Sequence, residues 1–374
     1  MSKIIAITAN TSWYLYNFRA NTFLEFQKKG YYVIAIAPED EYSSLLVKMG
    51  VRFIPIDIDA GGTNPIRDIK TLLSFYRIYR KERADCVLNF TPKNNIYSSI
   101  AASLLKIPTV NNIAGLGLLF VQETIPSKIA RILYKVSQRK ATRVFFQNED
   151  DRELFKKHNI APIEKTDRLP GSGVDLSRFV VRPAPDDGVV RFLLVARMLY
   201  DKGIEQYVEA ARRLKKDYAE SVEFYLLGFL NVDNPNAITR EMMDEWVAEG
   251  SVNYLGISDS VEDEIAKVDC VVLPSFYREG VPKSLLEAGA MGKPIITTDN
   301  VGCRETVDEG INGYLCEARS VDSLSNCMEK IVNLSHENRI YMGDKSRKKV
   351  AREFDENIVI KKYLDVVSSV TKQS

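Results

Sequence analysis

The residues best suited to chemistry lie in one stretch, Leu273-Pro274-Ser275-Phe276-Tyr277-Arg278-Glu279-Gly280-Val281-Pro282-Lys283-Ser284-Leu285-Leu286-Glu287-Ala288. An apolar run ends at Pro274 and a polar loop follows. A helix is expected to open near Pro282, whose fixed φ suits a first helical position. The N–H groups of Lys283 and Ser284 at that helix start, with those of Gly280 and Val281 in the loop, would face an anion. Glycine at 280 lets such a ligand come close to the main chain. Glu279 stands in the loop and Glu287 inside the helix, about 10 Å apart if the segment between them is mostly helical. That span fits the two ends of one extended polar ligand. It is too long for a shared proton or for the acid and nucleophile of a glycosidase. Two glutamates at such a spacing are ordinarily surface charge; the agreement of glycine, proline, strand end and helix start makes them a site.

A second stretch, Phe192-Leu193-Leu194-Val195-Ala196-Arg197-Met198-Leu199-Tyr200-Asp201-Lys202-Gly203, has the same build: an apolar run, a short loop and a helix opening near Gly203. Arg197 and Lys202 would both project from that loop. Two fixed cations suit a diphosphate, arginine as a planar fork and lysine as a point charge.

The elements that position these loops are strand ends. Runs at Lys3–Thr8, Tyr32–Ala37, Arg52–Ile56, Cys86–Asn89, Thr109–Ile113 and Arg143–Gln147 read as strands, with helices such as Phe18–Lys29, Asp68–Arg83 and Ser127–Lys140 between them. After the proline- and acid-rich segment Val180–Gly188 the alternation restarts, with strands at Arg191–Ala196, Glu223–Leu227, Val252–Leu255, Val268–Pro274 and Pro294–Thr298. Two successive βαβ series predict an α/β protein of two doubly wound parallel sheets, with ligands beyond the C-terminal strand ends. The chain has 374 residues, 45% of them apolar and 27% charged, enough for two or three domains with real cores. No internal repeat or low-complexity segment interrupts the pattern.

Other classes are disfavoured. No run approaches the roughly 18 apolar residues of a membrane span. Met1 to Leu15 reads as a first strand and not as a signal peptide. The five cysteines (Cys86, Cys270, Cys303, Cys316, Cys327) contain no Cys-x-x-Cys pair, which speaks against a disulfide framework or zinc site and for a reducing cytoplasm. No Gly-x-Gly-x-x-Gly follows the first strand, against a nicotinamide dehydrogenase. The net charge of +1 hides an asymmetry: residues 1–180 hold 26 Lys/Arg against 17 Asp/Glu, and the rest 25 against 33. A basic half and an acidic half are expected to meet different partners.

Arg197-x4-Lys202 followed by Glu279-x7-Glu287 resembles the donor site of retaining glycosyltransferases of the GT-B fold, specifically glycosyltransferase family four. The resemblance runs over nearly the whole chain and includes Pro170-Gly171-Ser172-Gly173-Val174-Asp175, Gly302-Cys303-Arg304-Glu305-Thr306-Val307 and Asn312-Gly313-Tyr314-Leu315. It is closest to bacterial enzymes that add N-acetylgalactosamine or a related sugar to an undecaprenyl-diphosphate-linked saccharide in surface-polysaccharide and N-glycan assembly. The fold so implied is two Rossmann-like domains facing a central cleft. By position, the resemblance implies that Arg197 and Lys202 bind the donor diphosphate, Glu279 the transferred sugar and Glu287 the ribose. The backbone of Gly280, Val281, Pro282, Lys283 and Ser284 would cradle sugar and phosphate. Gly256 and Ile257 resemble the segment that packs on the base, and Gly228 would let the nucleotide approach.

In the basic half, Asn10-Thr11-Ser12-Trp13-Tyr14-Leu15-Tyr16-Asn17-Phe18-Arg19 follows the first strand where many family members carry a glycine-rich turn. Asn10, Ser12, Tyr14, Tyr16 and Arg19 are candidate acceptor contacts, as are Lys93, Asn112 and Gly115 in the loops Asn89–Asn95 and Asn111–Gly117. His158 and His336 fit no catalytic position. Asp57-x-Asp59 reads as a strand end, and no metal site is expected. Ile129, Ile132, Leu133 and Val136 recur at helical spacing among Lys128, Arg131, Lys135, Arg139, Lys140 and Arg143, and Ile69 to Arg83 behaves similarly. Such helices either bury their apolar face or lie on an anionic bilayer. A lipid-linked acceptor favours the bilayer, and no nucleic-acid motif accompanies the basic patches.

The resulting expectation is a retaining, metal-independent glycosyltransferase with a UDP-sugar as co-substrate, no cofactor, a polyprenyl-diphosphate-linked acceptor and an anionic membrane surface as partners. It would be cytoplasmic and peripheral on the inner face of the cytoplasmic membrane, and would not bind nucleic acid. The expected domains are an acceptor- and membrane-side domain (1–180), a linker (181–188), a nucleotide-sugar domain (189–355) and a final helix (356–374) packing back on the first domain. Alternatives on the same fold are a transferase with a soluble acceptor, a nucleotide-sugar epimerase and a non-catalytic sugar-nucleotide binder.

Overall fold

The computed structural model describes residues 2–59, 61–62, 64–116, 124–230, 232 and 234–371. The first unit comprises residues 1–172 and 357–374, and the second residues 173–356. The first is built in order from β1 (Ile4–Thr8), α1 (Ser12–Lys28), β2 (Tyr32–Ala37), α2 (Ser43–Lys48), β3 (Arg52–Pro55), α3 (Pro65–Glu82) and β4 (Cys86–Asn89). A π-helical turn (Asn94–Ser98) then leads into α4 (Ser99–Leu104), followed by β5 (Thr109–Ile113), α5 (Ile125–Gln138), β6 (Arg143–Phe146), α6 (Glu149–Lys157) and β7 (Thr166–Arg168). All pairings are parallel, in the order β3-β2-β1-β4-β5-β6-β7.

Alternation within the strands sorts side chains to two cores. Ala6, Ile34 and Ile36 join Phe75 and Tyr79 of α3, Ala101 of α4, Tyr134 of α5 and Phe155 of α6 on one face. Ile5, Ile7, Val33 and Ala35 join Phe23 and Phe26 of α1 and Leu46 of α2 on the other. Burial on both faces is why these strands read as continuous apolar runs.

The second unit contains β8 (Val190–Val195), α7 (Ile204–Tyr218), β9 (Val222–Leu227), α8 (Arg240–Ala248), β10 (Asn253–Tyr254), α9 (Val261–Ala266) and β11 (Cys270–Leu273). It continues with α10 (Lys283–Ala290), β12 (Ile295–Thr298), β13 (Gly313–Cys316), α11 (Val321–Val332) and α12 (His336–Glu353). Its sheet is also parallel, in the order β10-β9-β8-β11-β12-β13, over one core. Helix α13 (Glu356–Thr371) closes the chain, and its Val359, Tyr363 and Val367 belong to the core of the first unit.

Two expectations need correction, and two short strands add to the pattern. The segment 181–188 is not where the chain passes between units; that crossing lies at Ser172–Gly173. The residues after it are strapped to the second unit, with Arg178 on Glu262, Arg182 on Asp263, and Arg347 donating to the carbonyls of Phe179 and Leu176. Helix α1 opens at Ser12 and not at Phe18, because the Thr11 hydroxyl caps it by accepting the Tyr14 N–H at 3.0 Å. Strands β7 and β13, three and four residues long at the sheet edges, were not anticipated, being too short to show a period of their own. Counted by unit, the charge asymmetry sharpens. The first unit has 28 Lys/Arg and 17 Asp/Glu, net +11, and the second 23 and 33, net −10.

Candidate active site

Strands β8 and β11 lie side by side at the centre of the second sheet, where the strand order reverses. The crevice outside the C-terminal ends of strands at such a switch point is where open α/β sheets take ligands. The loop with Arg197 and Lys202 leaves β8, and the loop with Glu279 leaves β11. The topology therefore brings the two halves of the sequence signature together.

Hydrogen bonds fuse the two loops. The Asp201 carbonyl accepts the N–H groups of Phe276 (3.0 Å) and Tyr277 (3.1 Å) and lies 3.1 Å from the Ser275 hydroxyl. That hydroxyl is also 3.0 Å from Glu279 Oε1. Lys202 Nζ forms an ion pair with the same carboxylate oxygen and stands 5.3 Å from the Tyr277 ring centroid. The pair is 13% and 15% exposed, so it is largely stripped of water. From the next strand, Thr298 Oγ1 donates to the Ser275 carbonyl and Asn300 Nδ2 to the Tyr277 carbonyl at 3.0 Å. Gly302, at φ +81°, packs its Cα against the Gly280 carbonyl; a Cβ there would fall 1.4 Å from that oxygen, so no other residue fits.

Arg197 is exposed, and among the described residues no carboxylate lies within salt-bridge distance of it. Burial holds the Asp201 carboxyl above the usual carboxylate range, with the Glu279 charge adding to the effect and Lys202 opposing it. Pro282 is the N-cap of α10 and not its first helical residue; the helix runs from Lys283. Among the described residues no protein acceptor takes the main-chain N–H groups of Gly280 and Ser284. Glu287, the fifth residue of α10, is largely buried, with Lys283 Nζ at 3.9 Å. Burial raises its pKa, against the pull of Lys283 and Arg178.

Gly256 and Gly228 meet directly, the Gly228 N–H donating to the Gly256 carbonyl at 2.7 Å. At φ +143°, a Cβ on Gly228 would sit 1.8 Å from the Ala196 carbonyl oxygen, so its lack of a side chain serves the end of β8. Ile257, Leu255 and Phe229 are exposed large apolar side chains at the ends of β9 and β10.

The candidate acceptor residues separate. Ser12 is buried; its hydroxyl is 2.7 Å from the Pro38 carbonyl and 2.9 Å from Ser43 Oγ, tying α1 to the β2–α2 loop. Arg19, 1% exposed, lies with its guanidinium 4.3 Å from the Phe90 centroid and within 6.0 Å of Tyr14 and Tyr363, donating to Tyr14 Oη at 3.0 Å. Ser12 and Arg19 are thus interior side chains. Tyr14 stacks on Phe18 and Tyr16 packs on Tyr42, both from the first turns of a helix and not from a loop. Lys93 is engaged by Asp68 at 2.6 Å, which also accepts from Tyr97 Oη at 2.7 Å. Asn112 is buried at the end of β5, where its carbonyl accepts from Asn95 Nδ2 at 2.9 Å and its side-chain amide atoms meet no partner among the described residues. Asn10 and Gly115 remain half-buried in strand-end loops, and Gly117 lies outside the described residues.

Asp59 accepts the Gly62 N–H and pairs with Arg67, as a loop brace. His158 caps α6, and His336 opens α12 within 3.8 Å of Asp186.

Sequence reasoning missed Ser275 and Asp201 as organisers of the site. A serine directly after a buried strand and an aspartate directly before Lys202 were the available signals.

Comparison with known proteins covers both units. Residues 190–333 match the family model of glycosyl transferases group 1, and residues 3–148 that of the glycosyl transferase 4-like family. The chain is 27% identical over 376 residues to the N,N'-diacetylbacillosaminyl-diphospho-undecaprenol alpha-1,3-N-acetylgalactosaminyltransferase of Campylobacter jejuni, covering 96% of each chain. It is 26% identical to the UDP-Gal:alpha-D-GlcNAc-diphosphoundecaprenol alpha-1,3-galactosyltransferase of Escherichia coli, over 73% of this chain and 74% of that one. The crystal structure of a glycosyltransferase from Rickettsia africae superposes with a TM-score of 0.79 at 18% identity, covering all of both chains, which shows the fold.

Proposed function

The chain belongs to the glycosyl transferases, group 1 in its second domain and 4-like in its first, and from that premise we propose that it moves an N-acetylhexosamine from a UDP-sugar to an undecaprenyl-diphosphate-linked saccharide. The donor site is carried by one observation: Lys202 and Glu279, from the loops of the two central strands, form one dehydrated unit beside the exposed Arg197. Support for the acceptor and for the transferred sugar comes from the relative that matches along 96% of the chain, whose name specifies both.

In this mechanism Arg197 and Lys202 take up the charge that accumulates on the diphosphate as the glycosidic bond breaks. They serve in place of a metal ion, and no cofactor is needed. Glu287 holds the ribose hydroxyls. Glu279 fixes the sugar ring and stabilises positive charge at the anomeric carbon. No histidine stands in the site, so the acceptor hydroxyl attacks from the face the diphosphate leaves and gives its proton to a phosphate oxygen. Configuration is retained, in keeping with the alpha linkages named for both relatives. The acceptor lipid places the enzyme on the inner face of the cytoplasmic membrane as a peripheral protein. Among the described residues no helix is long and apolar enough to cross a bilayer.

The test is a donor screen: purified protein with UDP-N-acetylgalactosamine, UDP-N-acetylglucosamine, UDP-galactose or UDP-glucose and an undecaprenyl-diphosphate monosaccharide, with and without a chelator. Transfer of an N-acetylhexosamine to the lipid, undiminished by chelation and alpha-linked by NMR, is the expected result. An inverted product, transfer only to soluble sugars or conversion of the donor to an epimer would defeat the proposal.

A further inference from the structure

The second unit holds a cavity of about 290 Å³ that shares no lining residue with the candidate active site. It lies where α7, α8 and α11 meet. Met242 and Trp246, one turn apart on α8, give it a thioether and an aromatic wall. Val208 of α7 and Val321, the first residue of α11, give it an aliphatic one. The rest of the lining is Glu205, Gln206 and Glu209 of α7. Among the described residues no lysine or arginine lines it.

Glu205 and Glu209 stand at i and i+4, on the same flank of α7, where like charges destabilise a helix. Two carboxylates on a flank are ordinary surface charge and make no site by themselves. What sets this flank apart is the cavity beside it and the lack of compensation around it. Arg212 serves Glu209 and Glu249 together, one cation for two carboxylates. Glu205 forms no ion pair among the described residues. Gln206 Oε1 is shielded from solvent and meets no donor among them, and a buried acceptor left so is costly.

These groups decide the sign of an occupant. The starts of α7 and α11 carry the equivalent of about half a positive charge each, which alone would favour an anion. Three carboxylates against one arginine outweigh them, so the cavity is net negative. Its polar walls accept: two carboxylates, an amide oxygen and the negative face of an indole, the ring best suited to a cation. A bare metal ion does not match, because Trp246, Met242, Val208 and Val321 offer it no oxygen and hard cations take six or more. Among the described residues no cluster of three ligating side chains could hold one. The lining suits a charge with an apolar body.

We propose that this cavity binds a small organic cation, an ammonium or guanidinium group on a short apolar stem, with its charge between Glu205 and Glu209 and its stem against Trp246 and Val321. The volume, at the small end of ligand cavities, admits one such molecule. Met242 links the cavity to the loop of Lys202. Its sulfur accepts from Tyr200 Oη at 3.0 Å, and Tyr200 opens the single helical turn that ends at Lys202. A ligand that fixes Met242 fixes that turn, so occupancy should tighten UDP binding about fivefold, and UDP should tighten cation binding by the same factor. This consequence rests on the proposed function; the cavity does not.

The chain has two tryptophans, Trp13 and Trp246, so full-length Trp13→Phe protein reports on the cavity alone. Its emission should change saturably with n-pentylammonium or n-butylguanidinium chloride, at ionic strength held constant with NaCl. The neutral n-pentanol should bind about tenfold more weakly or worse, the factor expected of a charged hydrogen-bond partner. Glu205→Gln with Glu209→Gln should erase that preference and leave the melting temperature and probe-free UDP binding unchanged. Val321→Phe, which fills the cavity, should abolish binding of all three probes. No saturation by either cation, equal binding of alcohol and cation, or undiminished preference in the double glutamine variant would overturn the proposal. UDP titrations by calorimetry with and without n-pentylammonium test the link through Met242. An unchanged UDP affinity refutes that link, while an absence of UDP binding refutes the donor reading and leaves the fluorescence result standing.

Discussion

Replacing Lys202 by Met keeps the length of the side chain and deletes its charge. Lys202 and Glu279 are 13% and 15% exposed, and the ion pair is the main compensation for a nearly dry carboxylate. Breaking a fully buried pair costs about 3–5 kcal/mol. Here the Ser275 hydroxyl and some solvent remain, so about 2 kcal/mol of stability is the expected loss. Activity should suffer more. One lost donor to a charge that develops in the transition state lowers turnover about 100-fold or more, near 2.7 kcal/mol. Because the side chains touch, Lys202→Met and Glu279→Gln should be coupled by about 1–3 kcal/mol, the double variant being less impaired than the product of the singles. The assay is steady-state UDP release with the correct acceptor for the four enzymes, alongside thermal melts. A Lys202→Met enzyme within about threefold of wild type in kcat/KM, or single effects that add to within about 0.3 kcal/mol, would refute this account.

Other outcomes follow from the same geometry. If Glu287 holds the ribose as proposed, Glu287→Gln should raise the donor KM about 10- to 100-fold with a smaller change in kcat, since that part of the donor does not change during reaction. Burial raises the pKa of Glu287, so UDP affinity measured by calorimetry should fall as pH drops through that raised value, and Glu287→Gln should show no such step. A carboxyl whose folded pKa is raised loses stability as pH rises through it; Glu287→Gln should therefore melt higher at neutral pH, a difference that vanishes below the ordinary glutamate value. Ser275→Ala should lower kcat about tenfold with little change in donor KM, and Ser275→Thr should recover part of it, since the hydroxyl aims Glu279 without touching substrate. Arg19→Ala, which empties a cation site among Tyr14, Phe90 and Tyr363, should destabilise the first unit by about 2–4 kcal/mol in denaturant melts and leave UDP binding to the second unit unchanged.

The candidate site was legible because its residues carry their own punctuation. An apolar run, a loop with Gly280 and Pro282, and a helix start locate Glu279 at a strand end, and the run into Arg197 does the same. The strand order was not legible: that β8 and β11 are neighbours follows from crossovers between residues about eighty positions apart. Ser275 looked like any loop serine until its hydroxyl was found between Asp201 and Glu279. The aromatic run Trp13–Phe18 obscured the start of α1, since four rings in six residues show no helical period. The burial of Arg19 was not legible for a general reason: arginine is usually exposed, and an aromatic box such as that of Tyr14, Phe90 and Tyr363 makes its burial tolerable. The prolines and acids of Val180–Gly188 correctly announced irregular backbone, but irregular backbone can be a strap as well as a linker.

Helix α13 also sets a timetable. Val359, Tyr363 and Val367 fill the core beneath β1 and β4, and Lys362 reaches back to the Arg168 carbonyl at 2.6 Å. A ribosome finishes residues 1–172 long before it makes these side chains. Roughly 200 residues separate the two events, about 10–40 s of synthesis at ordinary rates. Throughout that interval the nascent first sheet has a groove where α13 belongs, with Phe90 and Phe145 lacking the Tyr363 ring that covers them in the finished fold. The second unit has no such debt and can fold as it emerges. A message cut short before the codons of α13 would therefore release a chain with a sound second unit and an unfinished first one.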